Sequence, residues 1–123
     1  MGYAIVTIGG GVGALARYVL STWVGARLGL EFPWGTLVVN VVGSFIIGLV
    51  MVLSLERGIV SPEVRLLLTT GFCGGLTTFS TFSYETLALM RSEQWLSAGA
   101  NTLFNVGLCF AATWLGLLAA RAF

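Results

Sequence analysis

The sequence predicts an all-α membrane protein of four transmembrane helices, a single domain over residues 1–123, and three observations predict it. Charged residues make up only 9% of the chain against 57% hydrophobic, where a soluble domain carries about 25% charged residues. So few charges cannot cover a water-facing surface. Four long stretches are free or nearly free of charge, and the segments between them are too short to hold a soluble domain, a linker or a low-complexity region.

The first stretch, Tyr3 to Ala26, contains one charge, Arg17. It lacks the basic leader and short apolar core of a cleaved signal. The second, Phe32 to Leu55, has no charge, the third, Leu66 to Met90, holds only Glu85, and the fourth, Gln94 to Ala120, has none. Roughly 20 apolar residues cross about 30 Å of hydrocarbon, so each stretch is long enough. The connections are Arg27 to Glu31, Glu56 to Arg65 and Arg91 to Glu93. With both termini on one side of the membrane, that side carries Arg57, Arg65 and Arg121, and the other carries Arg27 and Arg91. Three against two is almost no positive-inside bias. Four helices leave little room for a polar path among them, so a dimer is expected. It is antiparallel if chains insert both ways round, and singly oriented if the depth of Arg17 decides.

The same composition excludes several functions. Lys, Asp and His are absent, which removes a Ser-His-Asp arrangement, imidazole metal ligands and a general base near neutral pH. A net charge of +1 gives no footprint for nucleic acid. Cys73 and Cys109 lie in apolar runs without a CxxC and read as buried thiols. Gly11 to Ala16 matches GxGxxA with Glu31 twenty residues after Gly11, but a dinucleotide fingerprint needs a soluble strand-to-helix turn, and this one lies inside a membrane stretch. The chain reads as a non-enzyme.

Seventeen glycines point to close helix packing, because association in lipid draws on close backbone approach and interhelical hydrogen bonds. Gly9 with Gly13, and Gly71 with Gly75, form GxxxG pairs, and Gly35, Gly43 and Gly48 thin the second helix.

Chemistry concentrates in Thr69 to Glu85, TTGFCGGLTTFSTFSYE. Gly and β-branched residues are weak helix formers, and hydroxyls compete for backbone groups, so the third helix is predicted to break near Gly74 to Thr78. In lipid such a break survives only where protein or water satisfies the freed carbonyls. It is then either a kink without a ligand or an ion site, with loosened carbonyls suited to a cation and half-helix N-termini to an anion. Phe79 and Phe82 lie at i and i+3 on one face, beside a hydroxyl track of Thr78 and Thr81 extended by Glu85. Ring edges carry partial positive charge, so edge-on rings suit an anion path, although such spacing also serves packing. Asn40 sits mid-span with Ser44 one turn on, and an amide in the bilayer core must find a partner: it bridges helices or donates to an anion. Asn101, Asn105 and Cys109 form one weakly polar stripe on the fourth helix. Arg17, whose burial at mid-membrane costs about 2.5–3.5 kcal/mol, has three readings: a positive pore mouth, a snorkelling anchor, or a partner of Glu85.

Taken together, GGGVGALARY (Gly9 to Tyr18), PWGTLVVNVVGSFIIG (Pro33 to Gly48) and GFCGGLTTFSTFSYE (Gly71 to Glu85) resemble the Fluc (CrcB) family of fluoride channels, and the resemblance covers essentially the whole chain. It implies a dual-topology antiparallel homodimer embedded in lipid of the inner or plasma membrane, with two narrow pores and passive export of fluoride. It further implies that Asn40 is the pore asparagine and that Phe79 and Phe82 box the ion with their edges. Ser80 and Thr81 would belong to a polar track ending at Glu85, and Arg17 would lie near the aqueous vestibule. Gly74 and Thr77 would hold a central structural sodium ion through backbone carbonyls from both subunits. The fourth helix matches less closely, and Asn105 is the residue there assigned to the pore. One rival is a non-transporting subunit or assembly factor, for which the hydroxyl and Phe track would have no purpose. The other is a proton-coupled small multidrug-type transporter, which needs a membrane-embedded acid. Only Glu85 could serve.

Overall fold

A computed structural model describes all 123 residues, Met1 to Phe123. The chain is all-α, without strands, in the order α1 (Gly2–Leu28), α2 (Trp34–Leu55), α3 (Pro62–Leu66), a wide π turn (Leu67–Cys73), α4 (Gly74–Leu76), α5 (Phe79–Arg91) and α6 (Trp95–Arg121). Three helices, α1, α2 and α6, are long and apolar enough to cross a membrane. At 1.5 Å per residue, α2 is about 33 Å long, and α1 and α6 are about 40 Å each.

The charged connections end these helices where the sequence places them. The first, second and fourth stretches begin and end within two residues of α1, α2 and α6. The third begins earlier than expected. Ser61 caps α3 by accepting the Val64 N–H at 3.2 Å, with Pro62 at the first helical position and Glu63 in the first turn, which together form a start signal. The helical path then widens into π turns and stops at Thr77 and Thr78, both extended (φ −86°, ψ 158° and φ −152°, ψ 118°), before α5 resumes. This lies within the Gly74 to Thr78 segment near which the sequence predicts a break. Within it Gly74 to Leu76 stay helical, and the break falls at Thr77–Thr78, where the Thr78 backbone groups find partners in Asn40.

Glycines set the crossings. A Cβ on Gly13 would lie 2.2 Å from the Phe72 carbonyl oxygen, and one on Gly75 would lie 2.3 Å from that of Gly10. The two GxxxG pairs therefore face each other and bring α1 against the π turn and α4. On the other side of the molecule, Gly48 approaches the Thr113 carbonyl and Gly116 that of Phe45, each at 2.3 Å from a built Cβ, so α2 and α6 pack backbone to backbone. Gly116 was not singled out in the sequence.

One end of the molecule gathers both termini with the α2–α3 connection. Arg57 donates to the carbonyls of Ala120, Arg121 and Phe123, and Arg121 makes a two-pronged ion pair with Glu56 at 2.9 and 3.1 Å. The hydrogen bond from Arg121 holds the exposed Glu56 carboxyl below the usual carboxylate range. Arg65 donates to Ser54 at 3.0 Å. At the opposite end Arg27 stacks over Trp23, 5.0 Å from the ring centroid.

Candidate functional site

A groove of about 450 Å³ opens between α2, the π turn, the start of α5 and α6. Of the residues singled out in the sequence, it is lined by Asn40, Gly43, Ser44, Gly74, Thr77, Thr78, Phe79, Phe82 and Asn105. Both cysteines also line it. They are free thiols, Cys73 buried and Cys109 only half-buried.

The extended pair Thr77–Thr78 is held from three directions. The Thr78 N–H, which in a continuous helix would reach the Gly74 carbonyl, donates instead to Asn40 Oδ1 at 2.8 Å. The Thr78 carbonyl accepts from Asn40 Nδ2 at 3.2 Å. The Thr78 hydroxyl accepts the Thr81 N–H at 3.1 Å, capping α5 in the manner of a helix N-cap and diverting the donor that would otherwise reach the Thr77 carbonyl. Thr77 and Gly74 thus keep carbonyls without their helical donors. The Gly75 carbonyl accepts from Arg17 Nε at 2.9 Å.

This bond rules out one of the three readings of Arg17. The lone ion pair in the chain is Arg121–Glu56, so Arg17 does not pair with Glu85. The absence of a side chain on Gly75 lets α1 approach closely, and the guanidinium reaches the nearby carbonyl instead. Arg17 lines neither of the two main cavities.

Asn40 belongs to a ladder of amides whose direction is fixed at both ends. Because the Thr78 N–H can only donate, Asn40 must present Oδ1 to it, and Nδ2 then donates to Asn105 Oδ1 at 3.0 Å. Because the Asn101 carbonyl can only accept, Asn105 must present Nδ2 to it, at 2.9 Å, with a second bond to Asn101 Oδ1 at 3.0 Å. Asn101 Nδ2 donates to the Thr86 hydroxyl, which donates to the Phe82 carbonyl, at 2.9 and 2.8 Å. Asn101 is fully buried, and burial of an amide is tolerable only with its bonds made. The sequence showed the Asn101–Asn105 stripe but not its partners, and Thr86 and the Thr78 backbone were missed. The spacing of four that joins Thr36, Asn40 and Ser44 on α2 was a usable signal.

The rings meet edge to face, with Phe79 and Phe82 centroids 5.3 Å apart at 61°. Phe82 is buried while Phe79 is 77% exposed. A second cavity of about 660 Å³ is lined by Thr36, Thr81 and Glu85 among others. Glu85 Oε1 is the one buried side-chain oxygen or nitrogen without a hydrogen bond. Ser80, expected beside Thr81, is exposed and lines neither cavity. Its hydroxyl lies 3.3 Å from that of Thr78.

Hydrogen bonds therefore join Asn40 and Thr78 in the groove to Thr81, which shares the second cavity with Glu85, and Phe79 and Phe82 line the groove beside Asn40 and Thr78. This set has amide and hydroxyl donors and the one carboxyl of Glu85, but no group of three or more His, Cys, Asp or Glu able to hold a metal.

The model of the family described as CrcB-like protein, Camphor Resistance (CrcB), matches residues 4–117. Among curated proteins, the fluoride-specific ion channel FluC of Geotalea uraniireducens is 52% identical over 117 residues, covering 95% of this chain and 94% of that protein. FluC of Geobacter metallireducens is 52% identical over 116 residues, 94% of each chain. FluC of Pelobacter propionicus is 54% identical over 110 residues, 89% of this chain and 85% of that one. With three helices fit to cross a bilayer, the chain is a multi-pass membrane protein, and it belongs to the CrcB family.

Proposed function

We propose that the chain is a fluoride-selective ion channel, which carries cytoplasmic fluoride passively down its electrochemical gradient across the inner or plasma membrane and so protects against its toxicity. The observation that carries this reading is that Asn40, Thr78 and the Phe79–Phe82 edge pair line one groove, with the Thr78 hydroxyl joined to Thr81, which lines the second cavity. Fluoride is small and strongly hydrated, so a path must replace its water with donors, and an amide, hydroxyls and positive ring edges supply them. Relatives about half identical over nearly the whole chain and named fluoride-specific channels support the same reading.

Pro62 to Arg91 is then one crossing broken at Thr77–Thr78, since neither part alone reaches across about 30 Å. Phe79 at 77% exposure and an open groove suit an assembly of two copies. The count of three arginines at one end against two at the other suits insertion both ways round, hence an antiparallel homodimer. The Gly74 and Thr77 carbonyls, without helical donors at the break, fit a hard monovalent cation. We assign them to a structural sodium ion shared with the second copy, where its charge would offset the cost of dehydrating an anion.

The test is fluoride efflux from liposomes loaded with purified protein, followed by a fluoride electrode. Efflux is expected when a potassium gradient with ionophore sets the voltage at equal pH on both sides. Fluoride retained under voltage, with a cationic drug moved by a pH gradient through Glu85, would favour the proton-coupled transporter.

A further inference from the structure

Asn40 reaches the groove with no proton to spare. Its two Nδ2 protons serve the Thr78 carbonyl at 3.2 Å and Asn105 Oδ1 at 3.0 Å. An anion arriving beside Phe82 therefore meets an amide already in use. We propose that Asn105 Oδ1 is a built-in competitor for the permeating anion: it occupies the Asn40 N–H in the empty channel, and the ion passes by displacing it. The proposal rests on the channel reading above.

Three observations support competition rather than direct ligation by Asn105. Its orientation is locked, because Nδ2 is held by both Asn101 oxygens at 2.9 and 3.0 Å. Turning the amide to offer Nδ2 to the ion would set Oδ1 against those two acceptors. Asn101 cannot yield, being fully buried with its own Nδ2 committed to Thr86 at 2.9 Å. Finally, Asn105 lines the groove next to Asn40, so its oxygen occupies the side from which an anion would take the proton.

The chemistry favours exchange. A hydrogen bond to an ion is roughly twice as strong as one between neutral groups, so fluoride wins the proton from an amide oxygen. When the ion leaves, Oδ1 takes the proton back, and no buried donor is stranded at the cost such a group carries. Conduction needs binding strong enough to enter and weak enough to leave. A tethered neutral acceptor weakens binding without adding a charge that would repel the anion.

This gives a sign opposite to that for a ligand. The experiment records single-channel current against fluoride concentration for reconstituted wild type, Asn105→Leu and Asn105→Ser. Leu fills similar space without an acceptor, and Ser keeps a hydroxyl donor for Asn101 so that the ladder below it stays satisfied. The half-saturating fluoride concentration is expected to fall about two- to tenfold in Asn105→Leu, the worth of one neutral hydrogen bond, and by less in Asn105→Ser, whose hydroxyl oxygen is a shorter acceptor, with lower maximal current because exit slows. A rise in that concentration would make Asn105 a direct ligand and overturn the proposal. An unchanged value with only a loss of thermal stability would make it a packing residue and overturn it equally. Absence of fluoride current in the wild type would overturn the channel reading itself, and the proposal with it.

Discussion

Asn40→Asp is expected to abolish fluoride flux while leaving the helices in place. The substitution keeps shape and keeps Oδ1 as acceptor for the Thr78 N–H at 2.8 Å. The donor Nδ2 becomes a second oxygen, facing the Thr78 carbonyl and Asn105 Oδ1, both acceptors formerly bonded at 3.2 and 3.0 Å. Two hydrogen bonds worth about 1 kcal/mol each are lost. A carboxylate also repels an anion at contact by about 4 kcal/mol for an effective dielectric of 20 at 4 Å. At about 1.4 kcal/mol per decade, the charge alone costs about three orders of magnitude in ion occupancy. Efflux from liposomes should fall to the level of protein-free vesicles, and size-exclusion elution in detergent should still show a folded species. Undiminished flux would remove Asn40 from the path.

The second large effect is on assembly. Gly13→Ala and Gly75→Ala each place a Cβ within 2.3 Å of a carbonyl oxygen on the facing segment, Phe72 and Gly10 respectively. The obstacle in both cases is backbone, which cannot turn aside as a side chain can. Overpacking costs about 1–3 kcal/mol where neighbours yield, and here α1 must move off α4, which also draws Arg17 away from the Gly75 carbonyl. Each variant should lose thermal stability by at least the upper part of that range. The double variant should lose less than the sum, since one displacement relieves both clashes. Gly11→Ala is the control. Nothing lies within 4 Å of its built Cβ, and Ala is favoured over Gly in a helix by about 1 kcal/mol, so its melting temperature should match or exceed the wild type. Equal melting temperatures for Gly11→Ala and Gly75→Ala would contradict the packing described.

The helices were legible because hydropathy blocks in this chain end at charges. Arg27, Glu31, Glu56, Arg91 and Glu93 bound the apolar stretches, and α1, α2 and α6 follow them closely. The GxxxG pairs were legible for a related reason, since only close backbone approach explains glycine at that spacing in lipid. The π turn was not. It depends on Gly71 meeting Gly9, where a built Cβ would lie 3.1 Å from the Gly9 Cα, a contact distant in sequence. Candidate site residues were legible by type but not by partner. Periodicity placed Asn101 and Asn105 on one stripe, yet the direction of the ladder depends on a backbone N–H at Thr78 and a backbone carbonyl at Asn101, which no side-chain pattern reveals. Of the three readings of Arg17, the pair with Glu85 rested on opposite charges in two spans, and the side chain instead donates to the Gly75 carbonyl. A glycine carbonyl at the end of α4 is a partner that carries no charge to be read.

The central claim is that a small anion moves along the groove between the Asn40 amide and the Phe79–Phe82 edges. Single-channel recording in symmetric fluoride, comparing wild type with Phe79→Ile and Phe82→Ile, tests it most directly, because Ile keeps the apolar bulk and removes the ring edge. The account predicts fluoride currents in the wild type and their loss in at least the buried Phe82→Ile, with both variants still folded. Full-sized currents in both variants would contradict it.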